Sequence, residues 1–141
     1  MYYLKTSSSF DSAHFLYGYD GKCKNIHGHR WLIEVRIKGK ELQATGNEKG
    51  MLTDFGNLKK NVRDLAEHFD HSLIYEKNSL KPSTVQAFSD ENFRIIEVPF
   101  RPTAENFARY FYDILSGEGY SIADVTVYET PENCAVYEGD C

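Results

Sequence analysis

Residues 28–38, GHRWLIEVRIK, alternate with a period of two. Trp31, Ile33, Val35 and Ile37 oppose Arg30, Glu34, Arg36 and Lys38. That pattern predicts a half-buried β-strand, with Leu32 the one apolar residue on its outer face. A preceding strand is predicted over residues 2–10. From residue 53, TDFGNLKKNVRDLAEHFDH changes period: Phe55, Leu58, Val62, Leu65, Ala66 and Phe69 recur at helical spacing behind Asp54 as N-cap. Residues 76–92 are polar and carry Pro82, which predicts a long loop, and a short strand is expected over 93–98. RPTAENFARYFYDILSGEG predicts a second helix. Thr103 caps it, Phe107, Tyr110, Phe111 and Ile114 form its stripe, and Gly117 and Gly119 end it. ADVTVYET and CAVYEG predict two closing strands joined by the turn PEN.

This order argues for an α+β layer, an antiparallel sheet with its helices on one face. At 141 residues the chain is expected to form a single domain, 1–141, with one real core. So small a sheet leaves its edges uncovered. Exposed edges invite pairing with another copy, so a homo-oligomer is expected.

Charge and cysteine usage narrow the partners. The net charge is −5 and no Lys/Arg stripe is visible, which argues against a nucleic-acid partner. No apolar run approaches the ~20 residues of a membrane span, and MYYLKTSSSF lacks the layout of a signal peptide. Cys23, Cys134 and Cys141 are odd in number and unevenly spaced, a poor disulfide framework. A reducing cytoplasm is the expected location.

The chemistry concentrates in KCKNIHGHR, residues 22–30. His27 and His29 lead into the strand of Trp31 and share its inward, odd-numbered face, ~7 Å apart at Cα. Two imidazoles against an apolar wall need something to satisfy their nitrogens, and a zinc ion does so from i, i+2 strand positions. His14, in FDSAHF, lies at the end of the first strand. Antiparallel pairing would make it their neighbour and third ligand, with a fourth position left open, as in catalytic sites. Cys23 is compatible with a fourth ligand, an ordinary small hydrophobe, or a reactive base beside the metal; flanking Lys22 and Lys24 suit the last.

Three further positions draw notice. Asp70 and His71 follow the first predicted helix. A carboxylate beside an imidazole can orient it for acid–base work, although capping alone explains the pair more simply. Glu129 follows Val125 and Val127 on one strand face. It either reaches water at the strand end or accepts two N–H groups from a flat donor such as an amino-pyrimidinone edge. Glu105 lies in the first turn of the second helix, where a carboxylate complements the helix dipole.

Taken together, SAH (12–14), C-x3-H-G-H (23–29), DH (70–71), PTAENFA (102–108) and YET (128–130) resemble the 6-pyruvoyl-tetrahydropterin synthase / 6-carboxytetrahydropterin synthase family. The motifs span almost the whole chain. Each is weak alone, but five in order are specific. The resemblance implies a tunnelling fold: a four-stranded antiparallel sheet with two helices on one face. Trimers would close it into a barrel and stack as a homohexamer. It implies zinc on His14, His27 and His29, and Cys23 as catalytic base. Asp70 and His71 would be proton-relay partners supplied across a subunit boundary. It gives Glu129 as pterin anchor, with Thr103 and Glu105 beside the same pocket, and no role for membrane or nucleic acid.

The family substrate is 7,8-dihydroneopterin triphosphate. Lys22, Lys24, Arg30 and Arg101 are candidates to meet the triphosphate. The three-residue spacing from Cys23 to the H-G-H pair resembles the bacterial 6-carboxy branch, which serves 7-deazaguanine and queuosine biosynthesis. That resemblance implies a zinc-dependent carbon–oxygen lyase releasing acetaldehyde and triphosphate. Pyruvoyl synthesis, aldolase-like side-chain cleavage, and a non-catalytic pterin- or zinc-binding module are the alternatives. Two departures from the family pattern are FDH, where leucine usually precedes the pair, and a longer segment over 76–98.

Overall fold

The computed structural model describes residues 1–140, so Cys141 lies outside the described residues. The elements run β1 (Tyr2–His14), β2 (His27–Gly39), α1 (Phe55–Phe69), β3 (Ser72–Glu76), α2 (Pro82–Asp90), β4 (Ile95–Val98), α3 (Ala104–Gly117), β5 (Ile122–Thr130) and β6 (Asn133–Tyr137). A single 3-10 turn, Lys22–Lys24, interrupts the link from β1 to β2. The strands form one sheet in the order β4-β3-β1-β2-β5-β6.

The α+β class stands, and β1, β2, β5 and β6 make the expected antiparallel four. The sheet is nevertheless larger than expected. β3 joins β1 and β4 joins β3, both in parallel, so six strands form a mixed sheet and a third helix accompanies them. The reasons are local. SLIYE of β3 is buried at four successive positions, so it shows no alternation. Residues 76–92 hold α2 rather than a loop: Pro82 sits in its first turn, where a missing N–H costs nothing. β1 also runs four residues past its expected end, carrying the strand to His14.

Burial of alternate residues fixes which way each face points. Trp31, Ile33 and Val35 are fully buried on β2. Against them pack Leu58, Val62, Ala66 and Phe69 of α1, and Phe107, Ala108, Phe111 and Leu115 of α3, in one cluster. These two helices therefore share a face, as expected. Both N-caps form: Asp54 accepts the Gly56 N–H at 2.7 Å, and Thr103 Oγ1 accepts the Asn106 N–H at 3.2 Å. Phe55, expected in the stripe, is exposed instead. α2 covers the other face. Its Val85 and Phe88 pack on Phe15, Leu73 and Tyr75, while intervening Ile74 points into the main core.

Two features position the site. β1 and β2 pair in the register Ser12↔His29 and His14↔His27, which stacks three histidines at one end of the sheet. At the outer edge, β5 and β6 slip register between Tyr128 and Thr130, a bulge centred on Glu129. No helix among the described residues is long and apolar enough to cross a membrane.

Candidate metal centre and active site

β1 ends and β2 begins on facing histidines. The His14 ring is wholly buried, edge-on to Trp31 at 5.0 Å. Its Nδ1–H donates to the Pro102 carbonyl at 2.8 Å. His27 uses Nδ1–H in the same way, on the Asn25 carbonyl at 2.7 Å. Carbonyl oxygens only accept, so each neutral ring carries its hydrogen on Nδ1 and leaves a lone pair on Nε2. Those two Nε2 atoms face each other at 3.1 Å. Two lone pairs at that distance repel unless a cation lies between them. Burial pushes the His14 pKa down from 6.5 to about 4, with His27 and His29 adding to the effect against the opposing Pro102 bond. The ring is therefore held neutral, the form that ligates a metal.

His29 completes the group. Its Nε2 is buried and has no well-aligned hydrogen-bond partner, although Glu129 Oε1 lies 3.2 Å away. Burial lowers the His29 pKa, Glu129 opposes that, and His27 reinforces it. The same Glu129 oxygen is 3.2 Å from His14 Nε2. Ligand atoms of His14, His27, His29 and Glu129 all lie within 4.8 Å of one another, so the four could hold a metal ion. A tetrahedral ion at ~2.0–2.1 Å from its ligands sets them roughly 3.3 Å apart. The three close separations, 3.1, 3.2 and 3.2 Å, fit that edge.

A cavity of about 360 Å³ opens over this group, lined by Lys22, Cys23, His27, His29 and Glu129. That volume lies within the range of small-molecule sites. Cys23 is a half-buried free thiol on the Lys22–Lys24 turn. Its carbonyl accepts the Leu16 N–H at 2.9 Å, tying the turn to the chain leaving β1. Cys23 stands beside the four-donor group without belonging to it. Lys22 is the one cation in the lining. Lys24 lines a separate cavity with Tyr17 and Tyr19, Arg30 pairs with Asp11 at 2.9 Å, and Arg101 donates to the Tyr17 carbonyl at 2.8 Å.

Asp70 and His71 form a pair outside that cavity. His71 Nδ1–H donates to Asp70 Oδ2 at 2.8 Å, while its side chain is 79% exposed. The turn is bolted to β1: Asp70 Oδ1 accepts the Asp11 N–H at 2.8 Å, and the His71 N–H donates to the Asp11 carbonyl at 2.6 Å. Arg94 clamps it from the other side, donating to the Asp70 carbonyl at 2.6 Å and to that of His68. These bonds hold His71 at φ +55°, a conformation a non-glycine residue seldom adopts. The Asp11 N–H, then His71, hold the Asp70 carboxyl below its usual range. Thr103 is committed to capping α3 and Glu105 is exposed in its first turn; neither lines the cavity.

Sequence reasoning therefore located the three imidazoles and Cys23 but missed what Glu129 faces. It also missed the Pro102 and Asn25 carbonyls that fix two tautomers, and Arg94. Backbone carbonyls leave no trace in residue type.

The family model described as 6-pyruvoyl tetrahydropterin synthase matches residues 3–140. A 6-carboxy-5,6,7,8-tetrahydropterin synthase of Haemophilus influenzae is 36% identical, over 98% of this chain and 99% of that protein. Its namesake from Rickettsia felis is 32% identical over 90% and 92%. Among solved structures, an uncharacterized protein of Wolinella succinogenes superposes with a TM-score of 0.81 at 21% identity, covering 99% of this chain and 98% of that one. The 6-pyruvoyl tetrahydropterin synthase of Caenorhabditis elegans gives 0.68 at 24% identity, covering 99% and 96%. At those identities, the two structures establish the fold.

Proposed function

The chain belongs to the 6-pyruvoyl tetrahydropterin synthase family, and on that premise we propose that it is a zinc-dependent carbon–oxygen lyase. With one water it converts 7,8-dihydroneopterin triphosphate to 6-carboxy-5,6,7,8-tetrahydropterin, acetaldehyde and triphosphate, in the cytoplasm, as a step of queuosine (7-deazaguanine) biosynthesis. The observation that carries this reading is a cavity lined by a thiol, two imidazoles and a carboxylate, with the buried His14 ring completing the four-donor group at its wall. Zinc is the metal proposed because the donors are imidazole nitrogens and a carboxylate whose ligand atoms all lie within 4.8 Å of one another.

Each residue then has a task. Zinc, when bound, supplies Lewis-acid polarisation of the substrate's side-chain hydroxyls. His14, His27 and His29 hold it, with Pro102 and Asn25 fixing two of the rings. Cys23 Sγ takes a proton from a side-chain carbon. Glu129 accepts the N–H groups of the amino-pyrimidinone edge, and Lys22 meets the triphosphate. His71, oriented by Asp70, returns a proton at another side-chain carbon. Thr103 and Glu105, outside the cavity lining, are assigned a place near the substrate at the start of α3.

Because His71 stands outside its own chain's cavity, we assign it to the cavity of a neighbouring subunit in a homohexamer built as a dimer of trimers. The free edges of β4 and β6 are where copies would pair. Sedimentation is expected to show a hexamer; an active monomer at micromolar concentration would contradict the shared site.

Product analysis tests the reaction. Incubation with 7,8-dihydroneopterin triphosphate is expected to release acetaldehyde with the 6-carboxy product. Accumulation of the 6-pyruvoyl product without acetaldehyde identifies a pyruvoyl synthase instead. A pterin that binds without turning over leaves a binding module.

A further inference from the structure

The proton relay of the proposed function hangs on one turn. α1 ends at Phe69, Asp70 is extended at φ −63° and ψ 138°, and His71 turns to φ +55° before β3 begins at Ser72. A left-handed residue just past a helix is ordinarily glycine, and its N–H ordinarily bonds back to the last helical turn. Neither holds at His71. Its N–H goes to the Asp11 carbonyl at 2.6 Å instead, so the end of α1 loses that donor.

The replacements come from outside the helix. Ser72 Oγ–H donates to the Phe69 carbonyl at 2.6 Å. Arg94 supplies two more: one guanidinium nitrogen donates to the Asp70 carbonyl at 2.6 Å and the other to that of His68. A planar fork reaches both carbonyls at once, which a lysine cannot match. Arg94 is itself held. Its backbone carbonyl accepts the Leu73 N–H at 3.0 Å, and β4 starts at the next residue, paired with β3 from Leu73↔Ile95 onwards. The chain thus leaves β3, crosses as α2 and returns to grip the residues from which β3 starts.

We propose that Arg94 is a positioning residue of the relay: its two-point grip holds the 68–71 turn in the left-handed form that keeps the His71 ring on the Asp70 carboxylate and aims it out of its own chain, into a neighbouring subunit's cavity. The inference deepens the shared-site reading above and rests on it. The ring is 79% exposed, and among the described residues its hydrogen bond is to Asp70 at 2.8 Å, so the turn beneath it fixes its direction. Arg94 acts through the backbone. The Asp70 carboxyl is held low by the Asp11 N–H and then by His71, so the guanidinium is not what keeps it ionised.

Arg94→Ala is expected to lower kcat on the order of 10–100-fold with KM and metal content unchanged, because only the aim of one group is lost. Mixed oligomers locate the defect. Arg94→Ala and Cys23→Ala chains, co-expressed with different tags, are expected to regain activity above either parent, at roughly a quarter of the sites if the chains mix at random. Each such site takes Cys23 from the first chain and a well-held His71 from the second. Arg94→Ala with His71→Ala is expected to regain nothing, because both defects lie in the same donated turn.

His71→Ala with Cys23→Ala is the control. Recovery in the control but not in Arg94→Ala with Cys23→Ala overturns the inference and leaves the shared site standing, and so does recovery in Arg94→Ala with His71→Ala. A fully active His71→Ala, or no recovery in the control, overturns both. Wild-type kcat in Arg94→Ala overturns the inference outright. Where Arg94→Ala fails to assemble, Arg94→Lys decides. It keeps the charge without the fork, and a lowered kcat at unchanged KM is expected. A wild-type kcat in Arg94→Lys overturns the two-point grip.

Discussion

Replacing Cys23 with alanine is expected to cut turnover by ~10²–10⁴-fold, the usual worth of a positioned acid–base group, while metal content and fold stay as they are. The expectation follows from where the thiol stands. It lines the cavity beside His27 and His29 but lies outside the four-donor group, so its loss removes no ligand. The Lys22–Lys24 turn buries none of its residues, so truncation opens no hole in the core. The turn is held through the Cys23 carbonyl, which alanine keeps. Steady-state rates and metal analysis on the same preparation check it. A variant with wild-type turnover would remove Cys23 from the mechanism. One that lost its metal would make the thiol a ligand.

Replacing His29 with alanine is expected to strip the metal and, with it, the activity. Its Nε2 is buried with no well-aligned partner in the chain, which is how a ligand looks when its metal is left out of account. The loss of affinity should exceed the roughly 10–100-fold that removing an outer hydrogen-bond partner of a ligand costs. His29 is the better test of the set because His14 is also structural: fully buried, bonded to Pro102 and packed against Trp31. Metal content is the measurement, with circular dichroism to show that β2 still forms. Undiminished metal in His29→Ala would contradict the assignment.

Much of this was legible in the sequence because the signals were periodic or chemical. The alternation through Trp31 to Ile37 specified β2 and its inward face, and the same odd-numbered parity put His27 and His29 on that face. Asp54 and Thr103 marked the helix starts with side chains that do cap. The rest was hidden for physical reasons. β3 is buried at successive positions, so it has no alternation to read, and its parallel pairing depends on distant β1. Pro82 reads as a breaker until a helix is seen to begin on it. His71 and Asp70 look like an ordinary helix end, because the bonds from Asp11 and Arg94 that fix them come from other strands. For Glu129, alternation with Val125 and Val127 left two readings open, water at the strand end or a flat donor, and only the family resemblance made it a pterin anchor. Its closeness to the Nε2 atoms of His14 and His29 depends on the pairing of β5 with β2, which residue type does not show.

The central claim is that a metal held by His14, His27 and His29 is required for the chemistry. Its most direct test is to strip the wild-type protein with a chelator and add zinc back in steps, following acetaldehyde release from 7,8-dihydroneopterin triphosphate. Activity is predicted to be absent without metal, to rise in proportion to bound zinc, and to level off at about one ion per chain. Full turnover by protein shown to hold no metal would contradict it.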